Sequence, residues 1–506
     1  MTATAATGAG SGGGGSAGPI LKKGALGLWD DTVIAVSSTA PAYSIATSMG
    51  LLGVAVLLAG PAIIWVAFIP VTGIAFAYYY MNRVEPPNCG AAYHWAAKAL
   101  GPVAGFSNGW VVIMTDLFFM AFAGPQGGAA LLQLFNAWGV TSIGGMDFTP
   151  ANTNLTIIVG VGFLALVTYM VLVGIKIAAT FQWLLLAIEY VIVLGFSIIG
   201  FFHKGGSGFT LDWLNPLSVG GWGPFAQGMV VAVFFYWGWD TAANLNEETE
   251  DGSLNPGKAG IIGMFLLLVL FLIASISIQE TLTPAEIQAN SATTLTAFAD
   301  KMVGQQWGSL AILAFLSSTV ATLQTTLLPS VRTAFSMGRD GMLGPMWAVV
   351  HPKWQTPWIG TLVMGGLAAG ISLLTIGLGS SLGAIVGAGV NAIGLLVAFY
   401  YGMVGIACVV YYRHSLTNNI RAFVFAGVFP LFGALSLFGV GIYDTWYLWT
   451  GANGTFAVSA SNGEFEVLVP AVVLIAAVPI YLYQRARRHP ASMNAKPEVA
   501  PANALA

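Results

Sequence analysis

Apolar residues run along this chain in long stretches separated by short polar punctuation, with no alternating pattern of half-buried strands. A helix that crosses a bilayer needs about 20 apolar residues. On that measure the pattern predicts twelve spans, roughly at 32–53, 61–82, 103–134, 153–174, 178–202, 225–246, 259–279, 307–334, 358–377, 388–411, 422–443 and 467–485. No connection between them is long enough for a soluble domain. The expected fold class is an all-α polytopic membrane protein, with any activity inside the helical bundle.

Composition sharpens this picture. The chain is 57% hydrophobic and 7% charged, with a mean hydropathy of +0.79. Soluble domains carry about 25% charged residues, so this surface belongs in a lipid bilayer. The net charge of −3 comes with no basic cluster able to track phosphates, which argues against nucleic acid as a partner. Cys89 and Cys408 cannot make a disulfide framework. The five histidines are scattered without metal-ligand spacing, so no metal or other cofactor is expected. Residues 1–25 are rich in Gly, Ala, Ser and Thr and lack the basic start and apolar core of a signal peptide. They are expected to form a disordered cytoplasmic tail, and residues 486–506 a second cytoplasmic tail.

Charge sets the expected orientation. If the N-terminus is cytoplasmic and the spans alternate, all but Lys204 and Lys301 of the 17 basic residues fall on the cytoplasmic side. One span more or fewer in the middle would destroy that asymmetry. Both termini are therefore expected inside a multi-pass protein of the cytoplasmic membrane. Most acids fall in loops, but Asp116, Glu189 and Asp240 lie within the third, fifth and sixth spans. A carboxylate at bilayer depth costs about 3 kcal/mol or more to insert. No Lys or Arg lies at comparable depth, and unpaired buried carboxylates are suited to taking up and releasing protons.

Two spans carry a central interruption. In the first, Ser37-Ser38-Thr39-Ala40-Pro41 puts a proline behind three hydroxyl residues. One reading is a kink whose hydroxyls satisfy the freed carbonyls. The other is a discontinuous helix, whose second half offers free amides to an anionic group such as a substrate carboxylate. In the sixth, Tyr236-Trp237-Gly238-Trp239-Asp240 sets a glycine among large aromatics beside an acid. Gly238 lets the backbone turn without steric penalty. The aromatics are either core filling or walls for a substrate's apolar or cationic part. Paired breaks five spans apart are the arrangement of inverted-repeat transporters, with the binding site between them.

Three stretches carry a resemblance: EPPNCGAAYHWAAKALGPVAGFSNGW (85–110), FFYWGWDTAANLNEETEDGSLNPGKA (234–259) and SVRTAFSMGRDGMLGPMWAVVHPKWQTPW (330–358). Together the chain resembles, over roughly residues 26–443, permeases of the amino acid–polyamine–organocation superfamily with the leucine-transporter fold. The resemblance implies a five-plus-five inverted repeat, residues 26–202 and 203–412, followed by two further helices in 413–485. It implies alternating access, with substrate held at Ser37 to Pro41 and at Tyr236 to Trp239. It makes Asp240 a proton-sensitive element. Glu189 aligns where some proton-coupled members carry a lysine, and Ser317 and Ser318 fall about where sodium-coupled members supply hydroxyl ligands, although serines that pack helices are the commoner case. Asp116 is read either as an amine-binding acid or as a partner of a buried hydroxyl or Trp N–H. Arg332, Arg339, Asp340, Glu247 and Glu248 are read as a cytoplasmic structural network.

The function expected is secondary import of an amino acid or related amine, driven by protons through Asp240, Glu189 and Asp116. Exchange of one amine for another and sodium-coupled symport are the alternatives within transport. A membrane-embedded enzyme or a sensor is the alternative outside it. Neither the particular substrate nor the oligomeric state is legible in the chain.

Overall fold

The structure is a computed structural model that describes residues 21–291, 293–375, 382–451, 465–488 and 491–505. Most of the segment expected to be a disordered tail, residues 1–20, therefore lies outside the described residues. So do Glu464 and His489.

Among the described residues, nine helical runs are long and apolar enough to cross a membrane. The first of these, Leu28–Met81, contains two passes, and two shorter apolar helices, Trp222–Phe235 and Trp358–Leu374, add the sixth and ninth. The spans in order are Leu28–Ser38 with Pro41–Val56, Gly60–Met81, Pro102–Ala137, Thr153–Val173, Ile175–Phe202, Trp222–Phe235 continued by a 3₁₀ helix Trp239–Leu245, Asn255–Thr281, Thr294–Arg339, Trp358–Leu374, Leu382–Tyr412, Ile420–Thr450 and Phe465–Arg488. Strand among the described residues is a small hairpin, Ser142–Ile143 with Met146–Asp147. The first and sixth spans are both discontinuous, as expected.

The boundaries differ where local chemistry acts. The eighth helix starts about a dozen residues early, at Thr294, and bends at Gly304, whose φ of 77° is non-helical. A short helix, Ala92–Leu100, lies between the second and third spans. Small residues let spans meet backbone to backbone. A Cβ on Gly128 would lie 2.1 Å from the Thr156 carbonyl oxygen, and one on Gly160 would lie 2.4 Å from the Gly124 carbonyl. The third and eighth spans form the centre, with 78% of their most apolar stretches buried, against 33% for the fifth, eleventh and twelfth.

Both described ends lie on one face of the bundle, called here the terminal face. Residues 21–25, the end of the segment read as a tail, run under the sixth span. Ala25 N donates to Glu248 O at 2.7 Å, and Glu250 N to Leu26 O at 2.8 Å. At the other end, Glu498 N donates to Lys98 O and Ala500 N to Tyr411 O. The network read from Glu247, Glu248, Arg332, Arg339 and Asp340 closes this face. Arg332 Nε meets Glu248 Oε2 at 2.7 Å with neither side chain exposed, and Arg339 pairs with Glu247 at 2.5 Å. Burial pushes the Glu247 carboxyl up, but the Arg339 guanidinium together with hydrogen bonds from Cys89 holds it below the usual carboxylate range. Tyr93 donates to Asp340 Oδ2 at 2.8 Å.

Candidate functional site

The first-span break is a true interruption rather than a kink. Helix ends at Ser38 and restarts at Pro41, with Ala40 left-handed at φ 49°, ψ 63°. A broken helix leaves carbonyls on one side and amides on the other without partners. The carbonyls are met locally and from the eighth span. Thr39 Oγ1 donates to Val36 O at 2.7 Å, Ala40 N to Ser37 O at 3.0 Å, and Thr322 Oγ1 to Ser38 O at 3.0 Å. The amides are met by a carboxyl group. Ala42 N donates to Glu189 Oε1, Tyr43 N to Ser318 Oγ at 3.2 Å, and Ser318 Oγ to the same Glu189 oxygen at 2.9 Å. A carboxylate at a helix start is favoured by both the free amides and the helix dipole. Glu189 is fully buried, and its Oε2 has no hydrogen-bond partner. Ser317 donates instead to Leu185 O at 2.9 Å, which ties the eighth span to the fifth.

The sixth span stops at Phe235, and Tyr236 caps it. Gly238 is required here on two counts. Its φ is 110°, and a Cβ would lie 2.6 Å from the Ser38 carbonyl oxygen. The two breaks therefore touch at these residues, and Ser38 Oγ and Thr241 Oγ1 are hydrogen-bonded at 2.9 Å.

Asp240 follows in a cage of tyrosines. Tyr401 donates to its Oδ1 at 2.9 Å, while Tyr400 and Tyr78 donate to its Oδ2 at 3.2 and 3.3 Å. Trp237 Nε1 donates to Tyr400 Oη at 2.7 Å. Trp239 packs edge-on against Tyr78, with centroids 5.0 Å apart, and tilts against Tyr401 at 5.6 Å. Asp116 is buried within Coulombic reach of Asp240, Tyr78 and Tyr400, and its Oδ2 has no hydrogen-bond partner. The four ion pairs among the described residues all lie elsewhere, so no basic group neutralises these acids through a salt bridge.

Aromatics extend from this cage. Phe119 meets Trp237 edge-on at 5.2 Å and Tyr43 at 5.7 Å, and Tyr43 stacks on Phe315 at 5.3 Å. Tyr236 donates to Ile64 O at 3.1 Å and packs on Phe271.

The structure thus sets Asp240 at the sixth-span break, with Asp116 within Coulombic reach of it, and Glu189 at the first-span break. Sequence reasoning missed the tyrosines. Paired Tyr400 and Tyr401 within an apolar span were a readable signal, because a buried phenol needs a hydrogen-bond partner.

Two spans broken five passes apart, touching at the breaks and lined with unpaired acids, define a multi-pass membrane transporter. The chain matches the amino acid permease family over residues 26–459 and belongs to that family. It is 27% identical over 331 residues to the methylthioribose transporter of Bacillus subtilis (strain 168), covering 62% of this chain and 68% of that one. It is 24% identical over 384 residues to the low-affinity putrescine importer PlaP of Escherichia coli (strain K12), covering 73% and 78%. The vacuolar cationic amino acid transporter 4 of Arabidopsis thaliana is 24% identical over 301 residues, covering 56% of this chain and about half, 48%, of that one. These relatives are transporters, and transport rather than catalysis is this chain's activity.

Proposed function

We propose that this transporter imports an amino acid or related amine across the cytoplasmic membrane by alternating access, coupled to protons, with both termini inside. The observation that carries the reading is Asp240. It sits where the sixth span breaks, within Coulombic reach of Asp116, held by three tyrosine hydroxyls and by no salt bridge among the described residues. A carboxylate placed so can bind an ammonium group or a proton, and the hydroxyls orient it for either. Trp237 and Trp239 supply walls for the substrate. Relatives named for putrescine and cationic amino acids support a small amine cargo, while the relative named for methylthioribose carries a neutral thiosugar. Proton coupling is favoured over sodium because Asp116, Glu189 and Asp240 are buried within the spans with no ion-pair partner among the described residues.

The test is uptake into proteoliposomes under separately imposed proton and sodium gradients. The wild type is expected to accumulate substrate under the proton gradient. Asp240→Asn is expected to equilibrate substrate without concentrating it. Accumulation by Asp240→Asn equal to wild type, with the same pH dependence, would remove Asp240 from the coupling path.

A further inference from the structure

The first turn of a helix is a ready seat for a carboxylate, and at the first-span break that seat is taken. Pro41 has no N–H, Ala42 N donates to Glu189, Tyr43 N to Ser318 Oγ, and Ser44 N back to Ala40 O at 2.7 Å. No amide of this turn is left for an anion arriving from outside. A substrate carboxylate here would meet the Glu189 carboxylate, with no basic side chain paired to it among the described residues.

Two further observations point to what the site does accept. Glu189 Oε2 and Asp116 Oδ2 are buried acceptors without partners, and both want a donor. Tyr78, Tyr401 and Trp239 pack on one another beside Asp240, and the face of an aromatic ring is suited to a cation. The site therefore has several places for positive charge and none for negative.

We infer that Glu189 stands in permanently for a substrate carboxylate, so that the site selects an organic amine lacking a carboxylate and rejects the amino acid bearing the same side chain. The inference rests on the import reading above and narrows its substrate class. It also assigns Glu189 a task apart from coupling: completing the broken helix while setting specificity.

The test uses pairs that differ only by a carboxylate: putrescine and ornithine, cadaverine and lysine, phenethylamine and phenylalanine. Initial uptake of each is measured in proteoliposomes of the full chain. At least one amine is expected to enter about a hundredfold faster, or more, than its amino acid, the scale on which a site rejects a group it cannot satisfy. An amino acid entering as fast as its amine overturns the inference and leaves import standing. Entry of none of these compounds under either gradient overturns the import reading as well.

Two variants then address Glu189 itself. Glu189→Gln keeps an oxygen for Ala42 N and Ser318, so the seat stays filled and the amino acid stays excluded. Glu189→Ala empties the seat and is expected to narrow the amine-to-amino-acid ratio by about tenfold or more. A folded Glu189→Ala protein that keeps the wild-type ratio removes Glu189 from specificity. If that variant does not fold, the paired uptake of the wild type and of Glu189→Gln still decides: admission of the amino acid by Glu189→Gln overturns the assignment.

Discussion

Gly238→Ala tests whether the two breaks meet as described. The methyl group faces two separate penalties. First, a φ of 110° is a conformation that a residue with a Cβ holds only under strain, costing on the order of 1–3 kcal/mol. Second, the Cβ would lie 2.6 Å from Ser38 O and 2.8 Å from Ser38 C. Relief requires the Ser38 backbone to retreat. That carbonyl is held by Thr322 Oγ1 at 3.0 Å, and the Ser38 hydroxyl by Thr241 at 2.9 Å. Overpacking against a held backbone costs about 1–3 kcal/mol more. The sum, about 2–6 kcal/mol, is a large share of a total stability of about 5–15 kcal/mol.

The assay is thermal unfolding of the purified protein together with initial uptake in proteoliposomes. Two controls separate the penalties. Gly174→Ala, at φ 144° with open space around it, isolates backbone strain. Gly162→Ala, with open space and an ordinary φ, should be neutral or slightly stabilising. Gly238→Ala is expected to melt well below both and to lose at least about tenfold in uptake. If it melts with Gly162→Ala and transports normally, the close approach of Ser38 and Gly238 is wrong.

Two predictions concern charge on the two faces. Glu248→Gln leaves the fully buried Arg332 without its anion and should cost about 3–5 kcal/mol, far more than an exposed pair, read as a loss of thermal stability. On the face opposite the termini, Lys301 and Thr283 hold the Glu286 carboxyl down at about 2. Because that value is depressed, the stabilisation is complete above the ordinary carboxylate range and is lost as pH falls toward 2. The pair is substantially solvent-exposed, which limits its worth to about 1 kcal/mol or less. Lys301→Met should therefore melt slightly below wild type at pH 7, and the difference should vanish near pH 2. A difference that persists there points to lost packing rather than lost charge.

Much of this protein was legible in its sequence because the determining physics is local. Bilayer thickness turns apolar run length into a span count. Pro41 lacks a donor, and Gly238 is free to take a positive φ, so both breaks could be placed before any contact was known. The scarcity of charge made Asp116, Glu189 and Asp240 conspicuous. The sixth span, expected over 225–246, begins at Trp222 and is α-helical only to Phe235, and beyond its glycine a 3₁₀ helix takes the place of an α-helix.

What tertiary structure alone decided is which group satisfies which. Free amides at the start of the second half-helix could be inferred, but the occupant of Ala42 N could not, because Glu189 lies 147 residues from Ala42. Asp240 was visible as an acid. The hydroxyls that hold it come from Tyr78, Tyr400 and Tyr401, on the second and tenth spans. Hydrophobic pattern reports depth in the membrane and leaves azimuth and neighbour open. Those are set by how small residues such as Gly128 and Gly160 let spans approach.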